Sequence, residues 1–82
     1  MLNLEELSLW GPQITDTGIM EVVKLQQLER LWLGGSQITG AGLKEVAKLQ
    51  QLKELNLEDT KVTKAGVAEL KKALPNCKIE GP

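Results

Sequence analysis

The fold is decided by the stretch Leu28-Glu29-Arg30-Leu31-Trp32-Leu33-Gly34-Gly35-Ser36-Gln37-Ile38-Thr39-Gly40-Ala41-Gly42-Leu43. Its leucine pattern, Leu28-x-x-Leu31-x-Leu33, has one copy before it, Leu4-x-x-Leu7-x-Leu9, and one after it, Leu52-x-x-Leu55-x-Leu57, both at the same offset. The following positions hold the same register: Ile14, Ile38 and Val62; Thr15, Thr39 and Thr63; Gly18, Gly42 and Gly66. Self-similarity at a period in the twenties marks a stacked repeat. One such unit cannot bury its own apolar face, so neighbours must share a core.

Within each unit the apolar period changes. Leu7-Ser8-Leu9, Leu31-Trp32-Leu33 and Leu55-Asn56-Leu57 alternate with period two, which predicts short strands with leucines inward. Ile19, Val22, Val23 and Leu25 then follow helical spacing, as do Leu43, Val46, Ala47 and Leu49, and Val67, Leu70 and Leu74. The threonines stand just before the helical runs, where a hydroxyl can cap free amides. Strand, helix and strand at a fixed interval imply a parallel sheet with right-handed crossovers. A glycine in the first helical turn costs about 1 kcal/mol against alanine, so the glycine column implies close approach of neighbouring backbones.

The pattern Leu-x-x-Leu-x-Leu-x-x-(polar)-x-Ile-Thr-x-x-Gly-Leu resembles the leucine-rich repeat family. Ile14-Thr15-Asp16-Thr17-Gly18-Ile19 resembles its cysteine-containing and bacterial subclass. The resemblance implies an α/β right-handed solenoid, with a parallel sheet on the concave side and helices on the convex side. It also implies a protein-recognition scaffold. Residues 1–82 read as a single domain with repeats at about 4–27, 28–51 and 52–73 and a closing strand at 74–82. Where the family usually has Asn or Cys bonded to turn backbone, this chain has Pro12, Ser36 and Thr60. The two hydroxyls can make that bond, whereas proline cannot, so the Gly11-Pro12 turn is expected to be irregular. The closing strand is expected to arrive early, as Leu74-Pro75-Asn76-Cys77-Lys78-Ile79, with Cys77 in the second leucine place.

Composition excludes several classes. A net charge of −1 over 82 residues gives no nucleic-acid footprint. The absence of histidine removes the commonest general base and a common metal ligand. One cysteine cannot close an internal disulfide. The N-terminal stretch lacks a signal-peptide pattern, and no run reaches the roughly 20 apolar residues of a membrane span. The expectation is a cytoplasmic, non-enzymatic domain without cofactor or metal. The duplicated Lys-Leu-Gln-Gln-Leu at 24–28 and 48–52 fits recent duplication, design or a fragment of a longer repeat chain.

The candidate site is the set of outward strand positions. Read across the sheet, the columns are Glu6, Arg30, Glu54 and Asn76; Ser8, Trp32, Asn56 and Lys78; and Trp10, Gly34, Glu58 and Glu80. Trp10 and Trp32 are the only aromatic residues and share this face. They are expected as diagonal neighbours about 7–8 Å apart. Exposed Trp beside Arg is the usual composition of an interface hot spot. The partner-binding residues are therefore taken as Trp10, Trp32, Arg30, Glu54, Asn56 and Glu58, and the partner as a protein or peptide rather than nucleic acid or membrane. The alternative is a structural unit that forms a homo-oligomer through an uncapped first strand, with Leu2, Leu4, Leu7 and Leu9 at the contact.

Overall fold

The computed structural model describes residues 5–81. The order is β1 (Glu6–Ser8), α1 (Asp16–Val22), β2 (Arg30–Trp32), α2 (Gly40–Val46), β3 (Glu54–Asn56), α3 (Lys64–Ala73) and β4 (Lys78–Glu80). The four strands form one sheet in sequence order, and every pairing is parallel. This is an α/β repeat fold.

Such short strands and helices are not stable alone. The register supplies what length does not. Leu7 stands beside Leu31, Leu31 beside Leu55, and Leu55 beside Ile79. Each inward leucine thus packs on an aliphatic counterpart in the next unit. Leu28, Leu31, Leu33, Ile38, Leu49 and Leu57 are completely buried, as is Ile19 from α1. Burying one such side chain contributes about 1.5–3 kcal/mol. The hydrogen-bond ladder continues past the strand ends through Leu9 N–H to Trp32 O, Leu33 N–H to Asn56 O and Leu57 N–H to Glu80 O, at 2.8–2.9 Å.

After each of the first three strands the chain turns with one residue at positive φ: Gly11 at 107°, Gly35 at 70° and Asp59 at 57°. The three occupy one register position in successive units, so the left-handed corner is part of the repeat. Aspartate is among the few non-glycine residues that tolerate it. Thr60 Oγ1 donates to Leu57 O at 2.7 Å, the expected turn bond. Ser36 departs from expectation: its hydroxyl is buried without a protein partner. In the first turn the irregularity expected at Pro12 is present. Ser36 and Thr60 donate their amides to Leu33 O and Leu57 O, and proline has no amide to give to Leu9.

The fourth strand corrects the sequence reading. Lys78 pairs with Glu54, Ile79 with Leu55 and Glu80 with Asn56, so the repeat interval is kept and Ile79 takes the second leucine place. Cys77 takes the hydrogen-bonding place of Leu28 and Leu52. Its amide donates to Leu74 O at 3.1 Å, as that of Leu52 does to Leu49 O. Only Lys78 separates Cys77 from Ile79, whereas two residues separate Leu52 from Leu55. The cause is α3, which runs three residues longer than α1 or α2 and absorbs the turn that follows them. The columns are therefore Glu6–Arg30–Glu54–Lys78 and Ser8–Trp32–Asn56–Glu80. Asn76 is not in the first column, and Glu80 is not in the third.

Helix entry is also less uniform than the motif. Thr63 Oγ1 accepts from Gly66 N–H at 3.0 Å and Thr39 Oγ1 from Ala41 N–H at 3.4 Å, but Thr15 makes no side-chain cap. Asp16 instead reaches the next unit. It accepts from Thr39 N–H at 2.8 Å and from Thr39 Oγ1 at 2.5 Å. A carboxylate at a helix N-terminus satisfies free amides and opposes the helix dipole. Asp16 thus ties α1 to the start of α2. Its counterpart Gly40 has no side chain with which to tie α2 to α3.

The glycine column has a different cause from the backbone approach expected. A Cβ on Gly42 would strike the Asp16 carboxylate and the Ile38 side chain. One on Gly66 would make only ordinary contacts with Leu43 and Thr63, and one on Gly18 would meet nothing within 4 Å. Gly42 is the single packed member of the column. Gly42→Val should therefore destabilise by about 1–3 kcal/mol. Gly18→Ala should stabilise by about 0.5–1 kcal/mol, the helix-propensity gain alone. Urea denaturation measures both, and equal costs at the two positions would contradict this account.

Candidate sheet-face binding site

The burial of the strands alternates. Middle residues turn toward the core, and flanking residues turn away from it. This brings Glu6, Ser8, Arg30, Trp32, Glu54, Asn56, Lys78 and Glu80 to one outward face. Trp10 and Glu58 follow at its edge. The residues singled out from sequence, Trp10, Trp32, Arg30, Glu54, Asn56 and Glu58, thus lie together. Leu7 and Leu9 are half-buried against the core, whereas Leu2 and Leu4 lie outside the described residues.

Trp10 is 53% exposed. Its Nε1 donates to Ser8 Oγ at 2.7 Å. Its six-membered ring lies across Gly34, so closely that any Cβ there would overlap it. Gly34 is therefore a seat for the indole rather than merely open space. Ser8 is the register partner of the half-buried Trp32 and links the surroundings of the two indoles. Sequence reasoning missed this role of Ser8. The available signal was a hydroxyl two residues before Trp10, on the same strand face.

Arg30 is bracketed by carboxylates, with Glu6 Oε1 at 2.5 Å from Nη1 and Glu54 Oε2 at 3.4 Å from Nε. The hydrogen bond to Glu6, then the charges of Glu6 and Glu54, hold the guanidinium above its ordinary pKa. All three groups are about half exposed, so the ladder adds little stability. Its effect is to hold the guanidinium between carboxylates from the two neighbouring strands. Asn56 Oδ1 accepts from Glu58 N–H at 3.0 Å and holds the backbone at the start of the third turn.

A hollow lies between α2 and α3. It has a volume of 340 Å³ and is walled by Leu43, Ala47, Leu70 and Ala73, with Gly40 and Gly66 at its margin. Gly40, at the register position of Asp16, lines it, and a Cβ there would meet nothing within 4 Å. No sequence-derived site residue reaches it. Among the described residues no group of three or more His, Cys, Asp or Glu could hold a metal ion. No helix among them is long and apolar enough to cross a membrane.

Cys77 is half-buried against the core. Burial, with the charge of Glu54 adding to it, raises its thiol pKa from 9.0 to about 11. At neutral pH it is a protonated packing residue rather than a nucleophile.

A family described as Leucine Rich repeat matches residues 48–71. The match spans β3 and most of α3, which is one repeat unit of the chain. Among curated proteins nothing matches.

The thiol gives a direct check on the packing around β4. The folded chain holds the Cys77 proton more tightly than the unfolded chain. Stability from this group is therefore full below pH 9 and is lost as pH rises through about 11. Alkylation of Cys77 by iodoacetamide should show its inflection near pH 11. An inflection at the value of a free thiol would mean that the cysteine is not packed as described.

Proposed function

We propose that this chain of leucine-rich repeats is a non-enzymatic module that binds a protein or peptide on its outward sheet face, with Trp10 and Trp32 as anchors. Leucine-rich repeat domains generally mediate protein–protein interaction and are typically non-enzymatic. In this reading the sheet lines the concave side of a right-handed solenoid of the cysteine-containing type, and the helices form the convex side. Neither nucleic acid nor membrane is the partner. The observation that carries the proposal is the placement of the only aromatic residues in the chain. Both lie on the outward sheet face, and Trp10 remains 53% exposed although a core of leucines is available beneath it. Tryptophan is among the residues most enriched where interface energy concentrates.

A second reading rests on unequal burial along the stack. Leu31, Leu33 and Ile38 are completely buried, while their first-unit counterparts Leu7, Leu9 and Ile14 are only partly covered. A second copy packed on the β1 side would cover them, which is the homo-oligomeric alternative. Leu2 and Leu4, assigned to that contact from sequence, lie outside the described residues.

The two readings separate in one experiment. Peptides selected by display against the chain should lose about 2 kcal/mol or more of binding with Trp32→Ala or Trp10→Ala, while Trp10→Ala leaves the urea midpoint nearly unchanged. Binding that survives both substitutions but is abolished by Leu7→Glu would move the interface to the β1 side.

A further inference from the structure

This inference rests on the sheet-face reading and specifies the chemistry of its partner. The Gly11 amide donates to Gly34 O at 3.2 Å and the Gly35 amide to Glu58 O at 2.8 Å. Positions 10, 34 and 58 therefore stand side by side at the end of the sheet, about 4.8 Å apart from strand to strand. Gly34 contributes no side chain, and the Trp10 ring lies across it. Nothing from position 34 separates the indole from the Glu58 side chain. In the neighbouring row Trp32 pairs with Asn56 and Asn56 with Glu80, so a side chain stands between that indole and its glutamate. Each indole is followed two strands later by a glutamate.

The Trp10 N–H is already satisfied by Ser8, so the indole offers a partner no donor. What remains is an apolar ring with a negative π-face, which attracts cations. The electrostatics around it have the same sense. Glu6, Glu54, Glu58, Asp59 and Glu80 face Arg30 and Lys78, and Arg30 is taken by Glu6 and Glu54. Glu80 has only a loose pair with Lys78 at 3.7 Å. Glu58 and Asp59 have no ion-pair partner among the described residues. A neutral partner would leave these carboxylates partly desolvated and unpaired, which is unfavourable. An acidic partner would be repelled.

We propose that the sheet face takes an extended peptide segment carrying arginine or lysine beside an apolar residue, with the cation seated between the Trp10 indole and the Glu58 carboxylate. The apolar neighbour lies against Trp32.

Three capped pentapeptides test this: leucine alternating with arginine, with glutamine or with glutamate. Binding is read by tryptophan fluorescence and calorimetry at low and high salt. The arginine peptide should bind about tenfold more tightly than the glutamine peptide, and the glutamate peptide should not bind. Trp10→Ala and Glu58→Gln should each weaken the arginine peptide about fivefold. Together they should cost less than the product of the two, because they act on one cation. Glu69→Gln on α3 should change nothing. Equal binding of the arginine and glutamine peptides, both lost on Trp10→Ala, would overturn the cationic partner while leaving the sheet-face reading intact. Equal damage from Glu58→Gln and Glu69→Gln would reduce the effect to net charge and also overturn it. If no peptide binds the parent better than the Trp10→Ala/Trp32→Ala chain, both readings fall. Were Trp10→Ala to lose its fold, the exposed Glu58→Gln change and the peptide series would still decide.

Discussion

Everything in this chain depends on the lateral contact of one inward leucine with its copy in the next unit. Leu31 lies between Leu7 and Leu55 with its side chain completely buried. The strands are too short to hold register by hydrogen bonds alone. A slip by a single position would turn every leucine outward and every charge inward. The leucine contact therefore selects the register, and the register places the outward residues. Trp32 beside Ser8 and Arg30 beside Glu6 and Glu54 follow from the same constraint.

The sheet and helix sides are joined differently. On the sheet side the strand pairings share one register, and the first bond past each strand end has nearly constant length. On the helix side the junctions are unlike. Asp16 bridges α1 to Thr39, and Gly42 is packed beneath it. Between α2 and α3, where Gly40 takes the register position of Asp16, lies a 340 Å³ hollow. The repeat is thus strict in the register of the strands, and it varies where the helices make contact.

Most of the fold was legible in the sequence because its cause is periodic. The alternation of Leu31, Trp32 and Leu33 determines a strand and its faces together, so the outward columns through Arg30 and Trp32 follow from the spacing itself. Legibility ended where the period is interrupted. The leucine spacing alone could not reveal that α3 extends to Ala73, so Cys77 reads as a second leucine when it takes the place of a first. Asp16 and Ser8 were missed because each acts on one particular partner, Asp16 on Thr39 of the next unit and Ser8 on Trp10 along its own strand, and no repeat marks them. Ser36 and Thr60 carry the same group at the same register position, yet only Thr60 finds an acceptor. That difference depends on local orientation, about which composition says nothing.

The seat of Trp10 on Gly34 has a meaning for variation in this sequence. Positions 10 and 34 are not two independent choices, because volume added at one must be removed from the other. A side chain at 34 displaces the indole, and a small residue at 10 leaves the glycine without a reason to be there. Heredity would therefore have to change the pair together, in two different repeats. The smallest evolving unit of this face is larger than the repeat that builds it.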